Sequence, residues 1–165
     1  EMSCNQSTKS CAACPFSRTS IPGSLGGSPI TTYLGQAQGP FFLPCHMPWD
    51  YKGNDAELDG ETMHCAGAAI FRANVGVAEK LPWKLLKLPA ESDDNVFGSY
   101  LEFVMHHEPK LSKKEAEVLV RPQMMALYLK NEFTIAKALP RNRRSRDGYD
   151  FVKPDNRLSD NTRPS

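Results

Sequence analysis

Residues 11–16 read CAACPF, and this C-x-x-C followed by proline organises the interpretation of the whole sequence. A C-x-x-C loop bends two thiolates toward one point, and two more soft ligands complete a tetrahedron around a metal. Cys45 follows in the apolar stretch FFLPCHMPW, and Cys65 follows in MHCAGAAIF. The sequence therefore predicts one metal or iron–sulfur site formed by Cys11, Cys14, Cys45 and Cys65.

The spacing of these cysteines leaves the identity of the cofactor open. There are 30 residues between Cys14 and Cys45 and 19 between Cys45 and Cys65. A zinc finger has its second ligand pair close in sequence, so here the fold must assemble the site. Zinc is the predicted cofactor, with a [4Fe–4S] cluster as the alternative, since proline directly after Cys14 is typical of cluster cysteines. We expect sulfurs within about 4 Å of one another for zinc and about 6–7 Å apart around a cluster.

Two further residues bear on the ligand set. His46 directly follows Cys45 and is an alternative ligand in a Cys3His site, because adjacent residues rarely bind one ion together. Cys4 makes the cysteine count five. Disulfide frameworks usually have even counts, so a cytoplasmic metal site is favoured and Cys4 is spare. A thiol oxidoreductase is a further alternative, although the C-x-x-C here follows polar residues rather than a predicted strand.

Length and composition predict one loop-rich domain. The chain has 165 residues, 40% of them hydrophobic, with 13 prolines and 11 glycines. Loop-rich chains with small cores commonly rely on a metal or disulfide staple. We expect an α+β fold in which residues 40–45, PFFLPC, form a short buried strand that delivers Cys45. The C-terminal helices are expected to pack on the metal site.

The predicted organisation has three parts. Residues 1–10 are expected to be disordered, and residues 11–139 to form a single metal-binding domain. Within it we distinguish a cysteine half, residues 11–76, from a helical half, residues 77–139. Residues 140–165 are expected to be a basic flexible tail.

Local signals predict four helices. Apolar residues at helical spacing predict one from Ala66 to Asn74, which puts Cys65 at a helix N-terminus that favours a thiolate. A second is predicted over 94–107. Ser112 and Glu115 match a capping box that begins a third, and Pro122 ends it and begins a fourth that runs to Leu139.

The tail after Pro140 is the candidate nucleic-acid contact. Its 25 residues hold seven Arg or Lys against four Asp and few aliphatic residues. Arginines grip phosphates, and the aromatic Tyr149 and Phe151 that follow suit stacking on bases. A solvated tail that only keeps the protein soluble is the competing interpretation. The residues predicted to bind nucleic acid are Arg141, Arg143, Arg144 and Arg146.

Several functional classes find no support in the sequence. The net charge of +1 gives no general attraction to nucleic acid or membranes. The apolar runs are too short to span a bilayer. No P-loop, G-x-S-x-G, H-E-x-x-H or G-x-G-x-x-G motif is present. We therefore lean toward a protein that is not an enzyme.

The order of these short motifs resembles that of a known family. CAACPFSR (11–18), IPG (21–23), FFLPCH (41–46), CAGAAIFRANVG (65–76) and FGSYLEF (97–103) are similar in order and content to the family named domain of unknown function 6283. That family comprises short bacterial and phage proteins and usually has Trp where this chain has Phe16. The resemblance implies that Cys11, Cys14, Cys45 and Cys65 are the family's characteristic cysteines, but it implies no activity.

These observations predict a small intracellular metal-binding protein with an accessory or regulatory role. Its cysteine site is expected to be structural, and it would contact nucleic acid or a protein partner. An iron–sulfur redox or sensor protein is the main alternative, and a thiol oxidoreductase is a third.

Overall fold

The computed structural model describes residue 10 and residues 13–41, 43, 65–78 and 94–140. Five α-helices lie within these ranges. The predicted strand at 40–45 and the N- and C-terminal segments lie partly or wholly outside the described residues. The helices are α1 (Ile30–Gln38), α2 (Ala66–Asn74), α3 (Tyr100–His107), α4 (Lys113–Leu119) and α5 (Pro122–Ala138).

The expected α+β class is wrong, because the described part of the chain is helical and contains no sheet. Ser17 and Val96 form an isolated antiparallel bridge. Near the predicted strand, two backbone carbonyl groups accept hydrogen bonds from α2 and its N-cap residue. The Leu43 carbonyl accepts from Cys65 N–H at 2.8 Å, and the Phe41 carbonyl accepts from the Arg72 side chain. Backbone groups must be satisfied, but a helix end and a side chain can satisfy them as well as a ladder.

The helix boundaries follow from local chemistry at most ends. The predicted span Ala66–Asn74 is found as α2, with Cys65 as its N-cap. The Ser112–Glu115 capping box is formed at the start of α4. Pro122 occupies the first turn of α5, where a missing N–H costs nothing.

The helix predicted over 94–107 is shorter than expected, because α3 begins only at Tyr100. Ser99 is its N-cap and accepts from the Glu102 N–H. The residues before it are used in the bridge to the cysteine loop: Arg18 N–H donates to the Asn95 carbonyl at 2.6 Å and Phe97 N–H to the Phe16 carbonyl at 3.1 Å. In a helix that continued through these residues, the Asn95 carbonyl would be bonded within the helix and would not be available to Arg18.

An aromatic core joins the cysteine loop to α2 and α3. Phe16, two residues after Cys14, has its ring centroid 5.1 Å from that of Phe71 and 5.5 Å from that of Phe103. All three rings are almost completely buried. Aromatic rings of this size supply much of the apolar burial in a small domain. The contacts of Phe16 therefore attach the cysteine loop to α2 and α3.

Helices α1 and α5 form the second packing contact of the fold. Gly35 of α1 lies where a side chain would collide with the backbone of Tyr128 on α5. Gln36 donates to the buried carboxylate of Glu132 across the same contact, at 3.3 Å. None of the helices in the described ranges is long and apolar enough to cross a membrane.

Candidate metal centre

Two of the four predicted ligands meet at the N-terminus of α2. The Sγ atoms of Cys14 and Cys65 lie 3.5 Å apart, although 51 positions separate them in sequence. Both residues are buried, with 0% and 3% of their surface exposed. The fold therefore brings the C-x-x-C loop to the cysteine that begins α2, as the sequence predicted for this pair.

Gly67 makes this approach of the two thiols possible. A Cβ atom at position 67 would overlap the Cys14 sulfur, and it would lie 3.4 Å from Cβ of Ser10. The Cys14 thiol therefore occupies the space of the missing side chain, against the first turn of α2. That turn carries unpaired N–H groups and the positive end of the helix dipole, which favour an anionic sulfur.

A fully buried arginine lies on the same helix. Arg72 has no exposed surface, and its guanidinium donates to the carbonyl groups of Gln36, Ala37, Gly39 and Phe41 at 2.9–3.1 Å. Burial lowers the pKa of Arg72 to about 9, while Tyr100 and Cys65 act in the opposite direction. A cation that Cys65 stabilises in turn favours a negative charge on that sulfur.

Tyr100 carries a donor without an acceptor among the described residues. Its hydroxyl oxygen is buried and has no hydrogen-bond partner within the part of the chain that the structure describes. Burial raises the pKa of Tyr100 to about 12, so the hydroxyl stays protonated at neutral pH. An orphaned donor beside Arg72 fits a neighbourhood that takes up negative charge.

The loop that carries Cys14 is fastened to α3 by His107. Gly23 N–H donates to Nδ1 of His107 at 3.0 Å, so Nε2 carries the proton and donates to the Pro15 carbonyl at 2.7 Å. Burial lowers the pKa of His107, which keeps the ring neutral and its Nδ1 free to accept. The imidazole thus joins two distant points of the loop, one of them next to Cys14.

An ion pair reinforces the same attachment at the surface. Arg18 forms a two-pronged contact with the Glu102 carboxylate, and its Nη2 lies 2.9 Å from Oε1. This pairing raises the pKa of Arg18 and lowers that of Glu102. Arg18 and Glu102 also line an open groove of about 510 Å³ with Phe97, Ser99, Leu101, Met105 and His106.

A serine and a histidine meet close to this groove without forming a hydrolytic dyad. Nε2 of His106 lies 2.8 Å from the Ser20 carbonyl and 3.2 Å from its hydroxyl. The shorter contact requires Nε2 to carry the proton and donate it to the carbonyl. A nitrogen in that state cannot accept the serine proton, so the pair serves to hold the loop.

The other predicted site residues lie outside the described residues. These are the ligands Cys11 and Cys45, the alternative ligand His46, and the nucleic-acid residues Arg141, Arg143, Arg144 and Arg146. Within the described ranges, no three His, Cys, Asp or Glu side chains come together as a metal-binding group. The completeness of the four-cysteine site stays a prediction.

Sequence reasoning missed Arg72 and His107. A single arginine within the apolar segment CAGAAIFRAN was the available signal for Arg72, because a charge there must be either exposed or fully hydrogen-bonded. His107 had no comparable signal, since its partners Pro15 and Gly23 are more than 80 positions away.

Comparison with known proteins adds no assignment. No protein-family model, no curated protein and no solved structure matches this chain. The resemblance to domain of unknown function 6283 therefore stays a prediction from the motifs.

Proposed function

We propose that this chain is a small metal-binding protein whose Cys11, Cys14, Cys45 and Cys65 hold one tetrahedral zinc ion. The site's task is structural, in that it fastens the loop that carries Cys14 to the start of α2. The distance between the Cys14 and Cys65 sulfurs is the observation that carries this proposal.

That distance supports zinc rather than a cluster. With metal–sulfur bonds near 2.3 Å, two thiolates on one tetrahedral ion lie about 3.8 Å apart. Cysteines on different irons of a [4Fe–4S] cluster are separated by about 6–7 Å. The observed 3.5 Å favours a single ion over the cluster. It also exceeds the ~2.05 Å of a disulfide by far.

The covalent chain limits how far the remaining two cysteines can be from this pair. Cys45 is two residues after Leu43, whose carbonyl is bonded to Cys65 N–H. Consecutive Cα atoms are 3.8 Å apart, so Cys45 is at most about 7.6 Å from Leu43 along the chain. Cys11 is at most about 11 Å from Cys14 by the same rule. Both residues are within reach of the pair.

The first test is the metal content and colour of anaerobically purified protein. We expect a colourless protein with one zinc per chain by elemental analysis, retained after desalting. A brown protein that contains iron and sulfide and absorbs near 400 nm would show that the cofactor is the cluster and not zinc. A metal-free protein in which Cys14 and Cys65 form a reversible disulfide would support the thiol oxidoreductase instead.

We further propose that the tail contacts nucleic acid through Arg141, Arg143, Arg144 and Arg146. The support is compositional: arginines neutralise phosphates, and binding of this kind weakens steeply with salt. Titration of single- and double-stranded DNA should show weak, sequence-tolerant binding at low salt that is lost on deletion of residues 141–165. Equal binding with and without the tail, or none at all, would favour a protein partner.

A further inference from the structure

We propose that Arg72 is a positioning residue of the cysteine site: it holds the end of α1 and the residues that follow it against α2, the helix that begins after Cys65, and so directs the chain that leads to Cys45 toward the site. This inference rests on the proposed metal-binding function and names a residue outside the ligand set.

The acceptors of Arg72 lie in two parts of the chain. Gln36 and Ala37 are in the last turn of α1, where carbonyl groups lack the usual donor four residues ahead. The Gln36 carbonyl also accepts from the Gly39 N–H. Gly39 and Phe41 follow the helix, and their carbonyls accept from Nη2 at 3.1 and 2.9 Å. One guanidinium therefore donates hydrogen bonds both to the end of α1 and to the residues that follow it.

A second tie fixes the same segment at the other end of α2. The Leu43 carbonyl accepts from the N–H of Cys65, the N-cap of α2. Cys65 and Arg72 are seven residues apart, which puts them on one side of the helix about 10.5 Å apart along its axis. The segment 36–43 is thus attached to α2 at both ends, and it arrives at Leu43 next to a ligand.

The chemistry of this contact requires an arginine. A planar guanidinium presents donors in several directions at once, whereas a lysine ammonium is a compact point charge on a flexible stem. Burying a cation is costly unless its donors are satisfied, and the carbonyl groups supply this compensation. Lysine keeps the charge but cannot span acceptors as far apart as Gln36 and Phe41.

Two variants separate geometry from charge. Arg72→Met removes both the donors and the charge, and Arg72→Lys keeps the charge alone. Ser112→Ala, which removes the N-cap of α4, is the control for general destabilisation. If the hydrogen bonds of the guanidinium position the segment, both Arg72 variants should bind zinc about 10- to 100-fold more weakly, as loss of an outer-shell partner does. Ser112→Ala should retain the wild-type affinity.

A cross-linking experiment on metal-free protein tests the geometry directly. A short bifunctional thiol reagent, followed by peptide mapping, should join Cys45 to Cys65 and Cys14 to Cys65 in the wild type. Arg72→Met should lower the Cys45–Cys65 yield severalfold and leave the Cys14–Cys65 yield unchanged as an internal control. Arg72→Lys, which retains the buried volume and charge, repeats the measurement should Arg72→Met fail to fold.

The outcomes distinguish this inference from the proposed function. Unchanged Cys45–Cys65 cross-linking in both Arg72 variants overturns the positioning role, whatever the metal content. A wild-type protein that binds no zinc but loses this cross-link on substitution overturns the metal site and retains the positioning. Full recovery of zinc affinity in Arg72→Lys would show that charge alone matters and would also overturn the inference.

Discussion

The cysteine half and the α4–α5 hairpin (residues 113–138) are stabilised in opposite ways. In the hairpin, each helix begins at a local signal, the Ser112–Glu115 capping box or Pro122. In the cysteine half, the loop after Cys14 is held by contacts from far along the chain, through Phe16, Arg18 and the residues that bind His107. The helix boundaries of the hairpin are thus determined by neighbouring residues in the sequence. The cysteine half depends instead on residues that come together only in the folded chain.

This difference indicates that the cysteine half is the less stable region of the molecule. A segment with many turn formers and few aliphatic residues buries too little apolar surface to offset its ordering entropy unaided. The Cys14–Cys65 contact lies where the loop meets α2, so the proposed metal would compensate there for the small core. We therefore expect perturbations of the site to act on the cysteine half first.

The largest effect should come from Cys14→Ser, which removes a proposed ligand from the buried pair. We expect loss of the metal and a drop in the free energy of unfolding of more than about 4 kcal/mol, in the range seen when a structural metal is lost. Limited proteolysis should cut the cysteine half while the hairpin persists longer. Cys4→Ser is the control and should change nothing. An unchanged melting temperature and metal content in Cys14→Ser would contradict the structural role.

Gly67→Ala should have the next largest effect, because its methyl group would overlap the Cys14 sulfur. Overpacking of this kind costs about 1–3 kcal/mol, and we expect weaker zinc binding with it. Gly98→Ala is a matched control, since the nearest atom to a Cβ there is Oε1 of Glu102 at 3.8 Å. Equal zinc affinity in the two variants would show that Gly67 has no role in the approach of Cys14.

Ser112→Ala should affect only the hairpin. Loss of the N-cap and its capping box costs about 1 kcal/mol and should be confined to α4. Hydrogen exchange should accelerate in residues 113–119 with zinc affinity unchanged. A change in metal binding in this variant would show that the two regions are more tightly coupled than the contacts indicate.

The smallest effect should be a pH dependence carried by His107. Its pKa is lowered in the folded state by burial, and the neighbouring His106 acts in the same direction. The unfolded chain therefore binds the proton more readily, so this stability is complete above the unfolded value of about 6.5 and is lost as pH falls below it. Protonation also abolishes the bond from Gly23 N–H.

Urea unfolding from pH 7.5 to 5.5 checks this prediction. His107→Gln should be less stable at pH 7.5 but should have a flatter pH profile than the wild type. His106→Gln removes one of the groups that lower the pKa of His107, so it should reduce the slope only in part. Parallel profiles for wild type and His107→Gln would remove His107 as the source of the pH dependence.

The same contrast explains how much the sequence could predict. Helices α2, α4 and α5 were predicted with nearly their observed ends, because caps, proline and apolar spacing are local. The start of α3 was placed too early, since nothing local indicates that Val96 pairs with Ser17. The α+β class was wrong, because the described residues form helices without a sheet. The strand predicted at 40–45 lies partly outside the described residues and stays a prediction.

The site was predictable to a similar extent. Residue type and spacing pointed to Cys14 and Cys65, and their apolar contexts indicated burial. The partners that hold them in place, Arg72 and His107, required knowledge of the tertiary contacts. The motif therefore indicated the two cysteines that meet but not the residues that bring them together.

X-ray absorption at the metal edge of the purified protein tests the central claim most directly. Four thiolates on one zinc ion predict a shell of four sulfur scatterers near about 2.3 Å. Three sulfurs with one nitrogen at about 2.0 Å would indicate that His46, and not Cys45, is the fourth ligand. An iron edge with neighbouring iron scatterers, or a shell with two or fewer sulfurs, would contradict the four-cysteine zinc site.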